Sequence, residues 1–279
     1  MSLTVIKIGG GAGIESAPLL DNIATLRAQG HRIVLLHGGS DETNQLSEAL
    51  GHPPRFVTSV SGHVSRFTDE RTLDYFAMAT GKINLRLVEG LQKRGVNAVG
   101  LHGVDGRLLE GTRKDHVKAV VDGKKMILRG DFTGTVEKVN THLLNLMLDN
   151  GYLPVVTVPA ISYEGDAVNA DGDRAAAAVA AALKADNLVI LSNVPGLLKD
   201  IQDPSSLVRH VPAAEFERYE QFAQGRFKKK MMGAKEALDG GVRRVILATA
   251  NVAQPLSRAL AGEGTVIGQP VAVPVAGVA

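Results

Sequence analysis

Short apolar runs rich in β-branched residues recur along the 279-residue chain, and between them apolar positions return every three or four residues. A run of four to eight such residues suits a strand buried on both faces, whereas the longer spacing suits a helix with one apolar stripe. The pattern predicts strands over 3–8, 32–36, 97–101, 153–158, 188–191 and 244–248, and helices over 19–29, 69–93, 141–150, 173–184 and 231–239. Strands and helices alternating in this way build a mostly parallel sheet covered on both faces, an α/β sandwich of three layers. Gly30, Gly95, Gly151 and Gly240 each follow a helical stretch, where a left-handed residue ends the helix.

One segment departs from the alternation. Residues 107–131 read as a β-hairpin turning near Asp122 and Gly123, with basic residues at 107, 113, 114, 118, 124, 125 and 129 against acids at 110, 115, 122 and 131. On charge alone this is a solvated projection. The segment 268–279, made largely of Gly, Pro, Ala and Val, is expected to be a loosely attached tail and carries no functional signal.

Composition narrows the classes. The 31 Lys and Arg against 29 Asp and Glu leave a net charge of +2, so no global field argues for nucleic acid or membrane, and any basic site must be local. The absence of cysteine excludes disulfides, zinc-thiolate sites and thiol catalysis, and fits a reducing cytoplasm. The start "MSLTVIKIGG" shows no leader pattern, and the apolar run 175–183 is too short to span a bilayer. A cytoplasmic protein is expected.

The candidate chemistry sits in loops after strands. In "KIGGG", Lys7 precedes Gly9, Gly10 and Gly11, an order that fits neither a P-loop nor a dinucleotide fingerprint. Backbone N–H groups approaching an anion and a plain solvated turn both remain open there. "HGGS" gives a second glycine turn with Gly38 and Gly39, beside which His37 is read as an ordinary strand-end histidine. Arg66, ahead of a long helix, suits either a bidentate grip on a carboxylate or a surface ion pair. "NADGDRAA" sets Asn169, Asp171 and Asp173 before a helix of small residues, where capping accounts for one aspartate, Asp173 rather than both. "LSNVPGLL", with Ser192, Asn193, Val194 and Gly196, offers a third place for a nucleotide. Lys228, Lys229 and Lys230 stand at a helix start, where the dipole favours acids, and a local rule broken in this way hints at function. No pattern supplies a general base or a metal-ligand cluster. If phosphoryl transfer is the reaction, a carboxylate acceptor needs no deprotonation near neutral pH.

Taken together, "KIGGG", "HGGS", "SRFTD", "NADGDRAA", "LSNVPGLL", "GRFKKKMMGAKEAL" and "GEGTVI" resemble the amino acid kinase family, in its acetylglutamate kinase branch, from about Val5 to Ile267. The resemblance implies an open αβα sandwich of the carbamate kinase type with two lobes, 1–181 for the carboxylate substrate and for dimerisation, and 182–267 for ATP carried with Mg²⁺. It implies that Lys7 contacts the phosphoryl group in flight, with N–H groups of Gly9 to Gly11 and of Gly38 and Gly39 around it. By the same resemblance Lys230, with Lys228 as fallback, is the second lysine, Asp171 holds the two lysines in place, and Arg66 binds the substrate α-carboxylate. Asn169 is placed with the substrate, and Ser192 to Gly196 with the nucleotide.

Certain departures sharpen the resemblance. "HGGS" stands for the usual three glycines, Ala167 stands where an asparagine commonly contacts an acetamido group, and "SGHVSRFTD", "RKDHVKAV" and "RGDFTGTVEKVN" are similar to the kinases acting on 2-aminoadipate, or glutamate, carried by the small acidic protein LysW. In those enzymes the carrier's C-terminal glutamate masks the amino group. The basic hairpin then gains a purpose, with Arg113, Lys114, Lys118, Lys124 and Lys125 steering an acidic carrier. An N-acetylglutamate kinase and a regulator that has lost catalysis are the rival expectations.

Overall fold

The computed structural model describes residues 2–60, 62, 64–121, 124–225 and 227–271. Its main sheet has eight strands in the order β15 (His210–Val211), β17 (Thr265–Gly268), β16 (Arg244–Thr249), β14 (Asn187–Ser192), β1 (Leu3–Ile8), β2 (Arg32–His37), β11 (Leu153–Thr157) and β5 (Ala98–His102). Every neighbouring pair is parallel except β16 with β17. The six strands read from the sequence are all in this sheet. Because β1 pairs with β14, the segments 1–181 and 182–267 are halves of one sheet joined along a ladder.

Alternation along the strands fills two cores. Ile6, Ile33, Leu35, Val155 and Val189 face α1 (Ala17–Ala28), α8 (Pro255–Leu260) and the second half of α3 (Glu70–Gln92). Val5, Val34, Leu36, Leu188 and Ile190 face α4 (Thr141–Asp149), α5 (Gly172–Ala182) and α7 (Phe227–Asp239). Ile190 is fully buried at the centre of the sheet, so Ile190→Ala is expected to cost about 2–5 kcal/mol. The same period of two turns Lys7 to the Val5 face, under the start of α5, where a Cβ on Gly172 would stand 3.4 Å from Lys7 Cε.

Two smaller sheets complete the first half. One has the order β10 (Lys138–Val139), β6 (Leu109–Gly111), β12 (Ala160–Ser162), β13 (Ala167–Ala170), β9 (Thr133–Gly134), and the other β4 (Val64–Arg66), β3 (Phe56–Ser59), β7 (His116–Val121), β8 (Lys124–Arg129). The remaining helices are α2 (Ser40–Ala49) and α6 (Phe216–Glu220).

The structure corrects several boundaries. The hairpin is β7 with β8 only: Leu109–Gly111 belongs to the other small sheet, and the expected turn at 122–123 lies outside the described residues. The left-handed glycine after α7 is Gly241, with φ +91°, rather than Gly240. Gly240 is needed for packing instead, since a Cβ there would lie 2.4 Å from that of Ala181. Gly268 is not the start of a loose tail: it closes β17, and Gln269 N donates to Arg243 O at 3.1 Å. Residues 272–279 of the expected tail lie outside the described residues. No helix among the described residues is long and apolar enough to cross a membrane.

Candidate active site

Three loops meet at the carboxyl edge of the parallel strands β14, β1 and β2, the edge at which open α/β sheets bind their ligands. The two glycine turns are joined directly: Gly10 O accepts from Ser40 Oγ at 3.0 Å and from Asp41 N at 2.9 Å. A Cβ on Gly10 would come within 2.6 Å of Gly39 N, so only glycine lets the turns approach. Gly11 and Gly38 lie open on the same edge. Gly9 departs from expectation, because its N–H extends the β1–β14 ladder to Leu191 O at 2.9 Å and is not offered to a ligand.

Under these turns two lysines share one carboxylate. Lys7 Nζ lies 2.7 Å from Asp173 Oδ1, and Lys230 Nζ lies 3.1 Å from Asp173 Oδ2. The aspartate between the lysines is therefore Asp173, and the expectation of Asp171 is corrected. Asp171 is the N-cap of α5, accepting from Asp173 N at 3.0 Å and Arg174 N at 3.2 Å, with Lys229 Nζ at 3.4 Å from its other oxygen. The exchange follows from where the helix begins. With Gly172 as its first residue, Asp171 turns back to cap, and Asp173, two positions on, points down to β1.

Burial acts to raise the Asp173 carboxyl, yet Lys7 and Lys230 overcome it and hold the group well below the usual carboxylate range. Burial lowers the Lys230 ammonium, with Asp173 opposing and Lys7 adding to the fall. Two cations around one anion leave an excess positive charge in a nearly closed place, which an incoming phosphoryl group would balance. Lys228 does not reach Asp173; it is exposed and lines a cavity of about 540 Å³ with Glu217, Glu220, Gln224 and Gly225. α7 begins at Phe227, so the lysines are inside its first turn rather than ahead of it.

Arg66 comes from β4 into the same region. Its Nη2 donates to Ser40 O at 3.1 Å and Asn44 Oδ1 at 2.5 Å, and its guanidinium stacks 5.1 Å over the Phe56 ring. This is a buried cation tied to the second glycine turn, unlike a surface ion pair. Asn169 Nδ2 donates to Thr68 Oγ1 at 3.0 Å, and buried Asp131 accepts from Thr68 N at 3.0 Å and from Thr133 Oγ1. Asp131 was not singled out in the sequence, where it reads as one hairpin acid; only the fold shows it binding the Arg66 loop to β9. Ser192 is buried, with its carbonyl bonded to Ala250 N at 2.7 Å, while Asn193 is exposed and Val194 half-buried. Gly196, at φ +151°, sits so close to Thr265 Oγ1 that a Cβ would be 2.5 Å away. No group of three or more His, Cys, Asp or Glu side chains that could hold a metal occurs among the described residues.

The five cations assigned to the hairpin separate. Arg113 pairs with Asp166 at 2.7 Å and stacks 3.7 Å from the Phe132 centroid, outside the hairpin. Lys114 N bonds to Thr133 O, also outside. Directly opposed residues of an antiparallel pair share a face. The pairs Phe56–Arg66, Thr58–Val64, Thr58–Val120, Val120–Lys125, Lys118–Ile127 and His116–Arg129 place Lys118, Lys125, Arg129 and Arg66 on one face, and Lys124, opposite Val121, on the other.

A pair of lysines on one buried carboxylate stands beside convergent glycine turns at the carboxyl edge of a parallel sheet. The model of the amino acid kinase family matches residues 2–249, and the chain belongs to that family. It is 57% identical to a LysW-aminoadipate kinase of Deinococcus radiodurans over 96% of this chain and 92% of the relative, and 54% identical to a LysW-aminoadipate kinase of Thermus thermophilus over 95% and 100%. Among solved structures, the N-acetylglutamate synthase of Neisseria gonorrhoeae complexed with coenzyme A and N-acetylglutamate superposes with a TM-score of 0.78 at 27% identity. That match covers 96% of this chain and 60% of the synthase.

Proposed function

We propose that the protein transfers the terminal phosphoryl group of ATP to the side-chain carboxylate of 2-aminoadipate, or of glutamate, presented on the acidic carrier LysW, and releases an acyl phosphate. The observation that carries the reading is the Lys7–Asp173–Lys230 arrangement beneath the joined glycine turns. A loose phosphoryl-transfer transition state spreads charge over its equatorial oxygens, and two ammonium groups held in advance by one aspartate meet that charge without rearranging. The acceptor carboxylate is already ionised, which suits a site built without a general base. Mg²⁺ travels with ATP and screens the phosphate charges. Arg66 holds the α-carboxylate of the amino acid, which fixes the distance from that end to the reacting carboxylate. The loop 192–196 lies on the nucleotide side, next to β1.

Carrier docking falls to the sheet face shared with Arg66. Lys118, Lys125 and Arg129 are exposed on it, interleaved with Val120 and Ile127, and lead away from the substrate arginine. Charge of this kind steers an acidic partner more than it binds it. A homodimer through the first half of the chain is part of the same reading, with Met78 and Leu85 exposed one heptad apart on α3. Sedimentation of the purified protein tests that part.

The function is tested by trapping acyl phosphate with hydroxylamine from ATP and Mg²⁺ with three acceptors: carrier-linked aminoadipate, carrier-linked glutamate and free N-acetylglutamate. Turnover confined to the carrier-linked acceptors is the expected result. Efficient use of free N-acetylglutamate would assign the protein to acetylglutamate phosphorylation instead, and nucleotide binding without any turnover would make it a regulator.

A further inference from the structure

His37, which reads in the sequence as an ordinary strand-end histidine, is 2% exposed and hydrogen-bonded through both ring nitrogens. Its Nδ1 lies 3.0 Å from Gly38 O, and its Nε2 lies 3.1 Å from Asn84 Nδ2. A carbonyl oxygen only accepts, so Nδ1 carries the proton. Asn84 Nδ2 also donates to Val155 O at 3.0 Å, which fixes the orientation of that amide and leaves Nε2 as the acceptor. The ring is therefore neutral. Burial agrees, bringing the imidazole down to about 4 against the pull of Gly38 O, with His102 and Lys7 lowering it further.

The surroundings are cut to this pair. A Cβ on Gly100 would lie 2.0 Å from Asn84 Oδ1, so the glycine in β5 makes the space that the amide occupies. A trans peptide points its C=O and N–H in opposite directions. With the Gly38 carbonyl held by His37, the Gly39 N–H is turned the other way, and Gly39 N is the atom nearest to a Cβ built on Gly10.

We propose that His37, held by Asn84, is a positioning residue for phosphoryl transfer: its Nδ1–H fixes the Gly38–Gly39 peptide so that the Gly39 N–H is turned toward the first glycine turn. The inference rests on the reading of those turns as the phosphoryl site. It assigns the pair a task that packing alone does not require, because an apolar side chain of equal volume would fill the place but leave the peptide free to rotate.

The test is the steady-state turnover of the full chain with ATP, Mg²⁺ and the carrier-linked acceptor, for His37→Phe, His37→Asn, Asn84→Ala and Gly10→Ala, with folding checked by thermal melting. His37→Phe keeps volume without a donor, and His37→Asn keeps an amide N–H near the place of Nδ1. A misaimed N–H should lower kcat of His37→Phe by about 10–100-fold with the acceptor KM held within about threefold, and His37→Asn should recover most of the loss. If His37→Phe does not fold, Asn84→Ala, which frees the ring, should lower kcat by about tenfold. A folded His37→Phe with wild-type kcat, a His37→Asn as impaired as His37→Phe, or an Asn84→Ala with wild-type kcat overturns the inference. Gly10→Ala should be inactive; if it turns over normally, the underlying reading of the turns fails instead.

Discussion

The protein has two basic regions that share a residue type and little else. In the first, buried Lys7 and half-buried Lys230 are held by the single buried carboxylate of Asp173. In the second, Lys118, Lys125 and Arg129 stand exposed on a twisted sheet face among apolar side chains. Buried cations cannot rearrange, and in a poorly solvated place each is worth far more to an arriving anion than it would be in water. Exposed ones are screened within about a Debye length of roughly 8 Å at physiological salt, so they change encounter rather than chemistry. A lysine's role here follows from what surrounds it.

The largest effect should come from removing the shared carboxylate. Asp173→Asn leaves two poorly solvated ammonium groups facing each other, and breaking such a cluster costs about 3–5 kcal/mol. Urea denaturation should show that loss together with undetectable turnover, whereas an unchanged midpoint would mean that the lysines do not depend on Asp173. Acid unfolding has the matching sign: the Asp173 carboxyl is depressed in the fold, so its contribution is present above the ordinary carboxylate range and disappears as pH falls through its folded value.

Next in size are the lysines themselves. Lys7→Ala or Lys230→Met should cut kcat by about 10³-fold or more while nucleotide still binds. Because burial already lowers the Lys230 ammonium, Lys230→Met should leave the melting temperature unchanged or higher. Calorimetry of the two variants decides it, and a large stability loss in Lys230→Met would remove the contrast between chemistry and scaffold.

His37 extends the buried region to pH. Its ring sits at about 4 in the fold against an ordinary value near 6.5, so the neutral ring favours the fold fully above pH 6.5, and that stabilisation of about 3 kcal/mol shrinks as pH falls toward 4. Stability of His37→Asn followed between pH 4 and 7 should lack this slope.

The exposed region should respond more weakly. Neutralising Lys118, Lys125 and Arg129 together should raise KM for the carrier-linked acceptor by about tenfold at low salt and leave kcat alone. Asp171 lies between the regimes, half-exposed with a cap to hold and Lys229 nearby, and Asp171→Ala should cost about 1 kcal/mol with modest loss of turnover.

These differences also explain what the sequence reveals and what it hides. The strands and the long helices are legible because period and glycine placement are local properties. The assignment between Asp171 and Asp173 is not, since both stand at the start of the same alanine-rich helix and a shift of two residues in that start exchanges cap and ligand. The hairpin charges are visible in number but not in direction: only the register shows that Lys124 faces away from Lys118 and Lys125, that Arg113 is taken by Asp166, and that Arg129 joins the face. Asp131 and His37 are hidden for the same reason, their partners lying 63 and 47 residues away in Thr68 and Asn84.

The most direct test of a division between buried chemistry and exposed delivery is kcat/KM for carrier-linked aminoadipate and for the same acceptor on a short uncharged glutamyl peptide, measured across a salt series. The account predicts a steep fall with salt for the carrier-linked acceptor, a flat response for the peptide, and a flat response for both once Lys118, Lys125 and Arg129 are neutralised. An equal salt dependence for both acceptors would contradict it, placing the electrostatics of recognition in the buried site.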